Sequence, residues 1–505
     1  LHYRKPGFWV MVAAVVAVVF VALLMGIGIQ LTQEFRFYAL ESNHLFLFDA
    51  DYVANKVAQP GGIALLMASF LTQFMRIPYV GVCMVVALYL LMAWVVYKML
   101  RKWWDDKAVA GLSLLPVVFL FLCMENDYYR FQGHIAFFML VLALYAYASI
   151  AAGRWKLRLG VGLLLVPVLY GVAGSVAVAF ACTICLIEWL DRGYRGGWSV
   201  AYLLVALGVA CVLVATSKVD SWESALTPFM YYNWPSTYFF PLYAWITLPL
   251  IIIASWGLAK MNMNASFSYG CAVGGMVLAF YLAGNLYTQV HSKNMYRFLQ
   301  EQYWAEHGEW DRIIETADRR KPVFFISYLN LALAQKGQLL KRMGQYKQQP
   351  VDKLMYPYPN LRNGMSLQSD VYMAWGYVGA ARQAAFDANL VTPGECHPRQ
   401  LKVLVQTNLV LGSYKVAEKY IALLEKTLYY REWATSMRRF LNRPETIKED
   451  RVLGELYRAL PATDEYVKYE GLTGDMRDIL DVYPSQPVLS QFYQMYLLLE
   501  KEEKK

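Results

Sequence analysis

The chain has 505 residues, of which 58% are hydrophobic and 17% charged, and a formal net charge of +9. That balance excludes an ordinary soluble globule. The basic excess would suggest nucleic acid in a soluble protein, but many of these Lys and Arg stand beside apolar runs, where they orient a chain in a bilayer, so nucleic-acid binding is set aside.

Apolar runs near bilayer length recur from Phe8 to about Tyr287, and charged residues concentrate from His291 onward. The expected fold is all-α: a polytopic membrane domain over 1–290, then a soluble helical-repeat domain over 291–505. Spans are expected at 8–30, 79–99, 108–124, 134–152, 159–173, 175–190, 198–216, 241–259 and 268–288. Only Ala173-Gly174 separates the fifth from the sixth, which reads as a tight hairpin or a single broken element. The first span follows Arg4 and Lys5 and is taken as a signal anchor rather than a cleaved leader.

Six of the seven cysteines fall inside apolar runs, and Cys396 stands alone beyond them, which leaves no disulfide framework to expect. Cys182 and Cys185 form a CxxC, but with no His or charged partner nearby they read as small packing residues.

Alternate loops differ in basic charge. One side receives Arg4, Lys5, Lys98, Arg101, Lys102, Lys107, Arg154, Lys156, Arg158, Arg192, Arg195 and Lys260; the other receives Arg36, Lys56, Arg76, Arg130 and Lys218. The richer side is expected to be cytoplasmic. With nine spans, the loops 31–77, 125–133 and 217–240 and the helical domain then face away from the cytoplasm.

The first outer loop, 31–77, is too apolar to be a linker. Phe35, Phe37, Leu40 and Phe46 crowd its first half, and GGIALLMASFLTQFMRIP over 61–78 reads as an interfacial or re-entrant helix bounded by Gly61-Gly62 and Pro78. Acidic residues gather on this side: Asp49 and Asp51 in the first loop, Glu125 and Asp127 in the second. A carboxylate at such an interface can take a proton from a hydroxyl, and a pair can hold a divalent cation such as Mg or Mn. Arg130 and Lys218 can pair with phosphate oxygens without metal, and His134 lies one helical position inside the fourth span. The bland alternatives are that Asp51 caps a helix over 52–58 and that Glu125 to Asp127 end a span in water. The third outer loop, TPFMYYNWPSTYFFPLY over 227–243, interleaves Asn233, Ser236 and Thr237 with rings that stack on sugars or anchor at headgroups.

Beyond Tyr296 the pattern becomes one of paired amphipathic helices, with turns expected at Gly308, Gly337, Gly379 and Gly412. Such repeats offer a surface for a protein or peptide partner. No Walker loop, G-x-S-x-G or H-E-x-x-H occurs, and the six histidines form no i, i+4 pair.

The layout resembles the GT-C class of multi-span glycosyltransferases over roughly residues 8–290, with FDAD (48–51) and END (125–127) where that class carries acidic motifs. The helical region is similar to that of transmembrane O-mannosyltransferases bearing tetratricopeptide repeats. The stretch QPGGIALLMASFLTQF (59–74) resembles uncharacterised multi-span proteins of Bacteroidetes, which implies a bacterial inner membrane with a periplasmic C-terminal domain. The resemblance implies transfer of a sugar from a lipid-phosphate donor to a protein or glycan acceptor. Asp49 or Asp51 would be the base, and Glu125, Asp127, Arg130, His134 and Lys218 would serve the phosphate or a metal. The rival expectation is a non-enzymatic scaffold whose repeats recruit an envelope or secretion complex.

Overall fold

The computed structural model describes residues 8–43, 45–103, 109–233, 240–260, 265–317, 326–348, 350–351, 354, 362–392, 397–460 and 472–504. Among them the regular structure is helical throughout, with one isolated antiparallel bridge between Tyr129 and Tyr232 and no strand. The chain divides into two compact units: Leu1–Glu41 with Ala50–Ser292, and Ser42–Asp49 with Lys293–Lys505.

The first unit contains α1 (Phe8–Asn43) up to Glu41, α2 (Ala50–Val57), α3 (Gly62–Thr72), α4 (Val80–Leu100), α5 (Val109–Leu112), α6 (Leu115–Cys123) and α7 (Gln132–Ala148). It continues through α8 (Trp155–Val172), α9 (Val176–Arg192), α10 (Val200–Ala215), α11 (Trp222–Leu226), α12 (Phe240–Leu258) and α13 (Ala265–Val290). Among the described residues, six stretches are long and apolar enough to cross a membrane: Val18–Asn43, Val80–Leu100, Trp155–Val172, Val176–Ala215, Phe240–Leu258 and Ser266–Val290. The chain is therefore a helical membrane protein. All nine expected spans fall on helices, but α5–α6 and α7 are shorter than that length, and the sixth and seventh expected spans belong to one apolar stretch. The break between α5 and α6 precedes Pro116, whose ring nitrogen cannot donate to the preceding turn.

The ambiguous fifth and sixth spans form a tight hairpin. Gly174 turns the chain at φ +92°, and a Cβ there would lie 2.5 Å from the Met230 sulfur, so both the backbone and the space require glycine. α7 packs against α3, α4, α8 and α9, which explains why residues on all its faces are buried. Gly111 of α5 and Gly275 of α13 let two helices meet backbone to backbone: a Cβ on Gly275 would stand 2.8 Å from the Gly111 Cα.

At one end of this unit the loops expected on a common side do meet. The Gly61 N–H donates to the Tyr170 and Gly171 carbonyls at 3.0 and 2.9 Å, and Gln132 Nε2 donates to the Gly61 carbonyl at 3.0 Å. The Arg130 N–H reaches the Tyr231 carbonyl at 2.9 Å, the Asn233 N–H reaches Tyr128 at 2.8 Å, and the Tyr231 hydroxyl donates to Ala173 at 2.8 Å. The opposite end carries a buried ionic network. Arg158 donates to Glu188 and Asp191, each at 2.8 Å, and Tyr147 donates to Glu188 at 2.9 Å.

The second unit comprises α14 (Lys293–Glu306), α15 (Trp310–Thr316), α16 (Ile326–Gln335), α17 (Leu339–Arg342), α18 (Arg362–Trp375), α19 (Val378–Leu390), α20 (Pro398–Val410) and α21 (Tyr414–Glu425). These form consecutive hairpins whose turns are Gly308, Gly337, Gly376 and Gly412, all with φ between 67° and 78°. The third turn is Gly376 rather than Gly379, which lies inside α19. The chain then runs through α22 (Arg431–Met437), α23 (Pro444–Glu449), α24 (Arg451–Arg458), α25 (Leu472–Val482) and α26 (Pro487–Glu503). α26 folds back on α16, α17 and α18, where Phe492 packs against the buried Trp375 with ring centroids 5.1 Å apart.

Candidate functional site

Within the first unit, the densest gathering of charge at the loop-rich end is built from three elements. α1 runs without a breaker past the apolar span and so presents Gln33 and Arg36 on one face, one turn apart. Both are buried, Arg36 to 2% exposure. Glu125 and Asp127 follow the end of α6. Between them Asn126 accepts the Tyr128 N–H on its side-chain oxygen at 2.9 Å, an Asx turn that bends the backbone and lets both carboxylates reach one guanidinium. Arg36 Nη1 donates to Asp127 Oδ1 at 2.8 Å, and Nη2 stands 3.2 Å from Glu125 Oε2. Gln33 Nε2 donates to the other Glu125 oxygen. His291 continues the last turn of α13 and places its Nδ1 2.8 Å from Glu125 Oε2, while its ring stacks on Tyr287.

Charges buried this deeply are tolerated only when paired and hydrogen-bonded, and the cluster supplies both. Asp127 is its most accessible carboxylate, with 21% of its side chain exposed against 2% for Glu125. Chemically the arrangement offers a solvent-reaching carboxylate held by a buried arginine. As a metal centre the donors do not fit. Both Glu125 oxygens and an Asp127 oxygen are engaged by cationic or amide groups, and no set of three or more His, Cys, Asp or Glu suited to a metal ion occurs among the described residues.

The expected site residues thus fall in different settings. Glu125 and Asp127 share Arg36. Asp49 belongs to the second unit, where Lys426 Nζ lies 3.0 Å from its carboxylate. Asp51 is exposed in the first turn of α2, where a carboxylate complements the helix dipole. Arg130 donates through Nε to the Asn233 side chain. His134 is fully buried, 2.9 Å from the Tyr89 hydroxyl and stacked on Phe131, as a packed interior ring would be. Lys218 is exposed, and its backbone N–H closes the end of α10 on the Leu213 carbonyl. Ser236, Thr237, His44 and Cys396 lie outside the described residues.

Gln33, Arg36 and His291 were not among the expected site residues. The available signal was a polar i, i+3 pair at the end of an apolar helix with no breaker before it, and a histidine placed where the last span ends.

These features define a multi-helix membrane protein with a buried ionic cluster at one end of its bundle and a second unit whose described residues form helices. Residues 8–505 match the model of a family described as a family of unknown function, DUF6057, and the chain belongs to that family. No curated protein and no solved structure matches it.

Proposed function

We propose that the protein is a membrane transferase of the GT-C kind, moving a sugar from a lipid-phosphate donor to a protein or glycan acceptor. The observation that carries this reading is the Arg36–Glu125–Asp127–His291 cluster, two carboxylates with two basic groups at the junction of α1, the α6–α7 loop and α13. Asp127, the accessible carboxylate, takes the proton of the acceptor hydroxyl as the new glycosidic bond forms. Arg36 and His291 meet the charge of the departing lipid phosphate. This reading gives the base to Asp127, which shares Arg36 with Glu125, whereas Asp49 belongs to the second unit and Asp51 has no such partner cluster described around it. Arg130 and Lys218 stay as outer contacts for the donor.

The loops that bear the cluster are those poorer in Lys and Arg, which supports an orientation with the cluster facing away from the cytoplasm; in this reading the membrane is a bacterial inner membrane and the helical unit is periplasmic. In this reading the helical hairpins, tetratricopeptide-like in grammar, hold the acceptor protein.

The test is transfer from a radiolabelled polyprenyl-phosphate sugar by the full chain in nanodiscs. A general base contributes about 10²–10⁴-fold, so Asp127→Asn should lose activity on that scale while Asp49→Asn with Asp51→Asn keeps most of it. Undiminished transfer by Asp127→Asn, or none from any lipid-linked sugar, overturns the reading. The rival scaffold is favoured by the exposed apolar residues Phe386, Leu390 and Val391 at the end of α19, and it predicts that Asp127→Asn fully supports the cellular role.

A further inference from the structure

A polar cavity of about 300 Å³ opens within the second unit, between α15 and α17, the second helices of its first two hairpins. Asp311 and Glu315 stand one turn apart on α15 and so share a face, with Ile314 beside them. The other wall is Arg342 of α17, with Gln338 one turn before it and Tyr346 one turn after.

The charges in these walls are not spent on one another. Lys336 Nζ lies 2.6 Å from Asp311 Oδ2 and neutralises that carboxylate. Glu315 is exposed and, among the described residues, meets no cation. Arg342 Nη1 donates to Gln338 Oε1 at 3.0 Å, and Nη2 donates to the Tyr346 hydroxyl at 3.2 Å. Both acceptors are neutral, so they fix the guanidinium without matching its charge and leave its remaining N–H groups for a ligand. A half-buried guanidinium oriented in this way is preorganised for a carboxylate, because the ordering cost is already met by the fold. A fixed cation and an unmatched carboxylate around one small space complement a molecule that carries both charges.

We propose that this cavity binds a small α-amino acid as its zwitterion, with the ligand carboxylate on Arg342 and the ligand ammonium on Glu315. Ligand cavities run from about 300 to 1,000 Å³, and this one lies at the lower end of that range. Ile314 and Ala317 supply the apolar part of the lining, which suits a hydrogen, methyl or hydroxymethyl side chain better than an aromatic ring. The site belongs to the second unit alone, so it neither needs nor tests the ionic cluster of the first.

The test is isothermal titration of the full chain in nanodiscs with glycine, L-alanine and L-serine. At least one of the three should bind. Its amide, which lacks the carboxylate, and its N-acetyl derivative, which lacks the ammonium, should each bind about tenfold more weakly or worse, the loss expected for one charged hydrogen bond. L-tryptophan and trialanine should bind more weakly still. Glu315→Gln should weaken the amino acid by the same factor yet hold the N-acetyl derivative as the natural chain does, since that derivative has no ammonium to lose. Arg342→Gln should show the converse with the amide. No binding by any of the three amino acids, equal binding of the amide or the N-acetyl derivative, or a Glu315→Gln variant that weakens both ligands alike overturns the proposal. Trialanine binding as tightly as the amino acid would also overturn it and mark a peptide groove instead.

Discussion

Glu301 on α14 is 2% exposed and receives Arg297 Nε at 2.8 Å. Burial outweighs that attraction and pushes its carboxyl up to about 7. The folded chain then holds the proton more tightly than the unfolded one. The associated stability is complete below the ordinary carboxylate range and is lost as pH rises through about 7. Glu301→Gln should retain on the order of 3 kcal/mol that the natural chain loses between those limits, read from urea unfolding at pH 5 and pH 8. An unchanged pH slope in the variant would show that another group carries the effect. Asp370, raised by burial against the pull of Arg399, adds a residual slope of the same sign. In the first unit, at the end opposite the Arg36 cluster, Glu188 shows what hydropathy alone misreads. Its place beside Trp189 suggests a side chain reaching for the interface, yet it is fully buried and paired with Arg158, while Trp189 is the exposed neighbour. Hydropathy places an acid near a helix end, but it does not say which side of the helix faces protein.

Helices were the most legible elements. The apolar runs predicted each long helix of the first unit, because a stretch that must satisfy its backbone in lipid has few other options. Their limits were less legible. α1 continues through residues read as loop, since 31–43 contain no glycine or proline to stop it, and that extension is what carries Gln33 and Arg36 into the cluster. In the second unit the phrase AWGYVGAARQ holds two glycines, and the turn falls on the first because Tyr377 and Val378 already open α19. The turns themselves make a prediction. Gly337 has open space where a Cβ would go, so Gly337→Ala should cost only the left-handed backbone penalty, about 1–2 kcal/mol. At Gly376 the same Cβ would stand 2.6 Å from that of Ala459, so Gly376→Ala should destabilise more, and thermal melts of the two variants decide the order.

On the scale of the whole molecule the second unit is discontinuous. Residues 42–49 belong to it, with Leu45, Phe46 and Leu47 buried, the Phe48 N–H bonded to the Lys426 carbonyl at 2.7 Å, and Asp49 paired with the Lys426 side chain. A fragment beginning at Lys293 should therefore be less stable than the same fragment given a peptide of residues 42–49, with a rise in melting temperature that grows with peptide concentration. No shift at saturating peptide would count against the assignment. Composition and periodicity by themselves determined that the chain is helical and that its first part is built for a membrane. These follow from local rules of hydropathy and turn chemistry. Which acids share a guanidinium, and that Asp49 pairs with Lys426, was decided by the tertiary structure alone, because ion pairs 90 or more positions apart arise from helix packing and leave no periodic trace in the sequence.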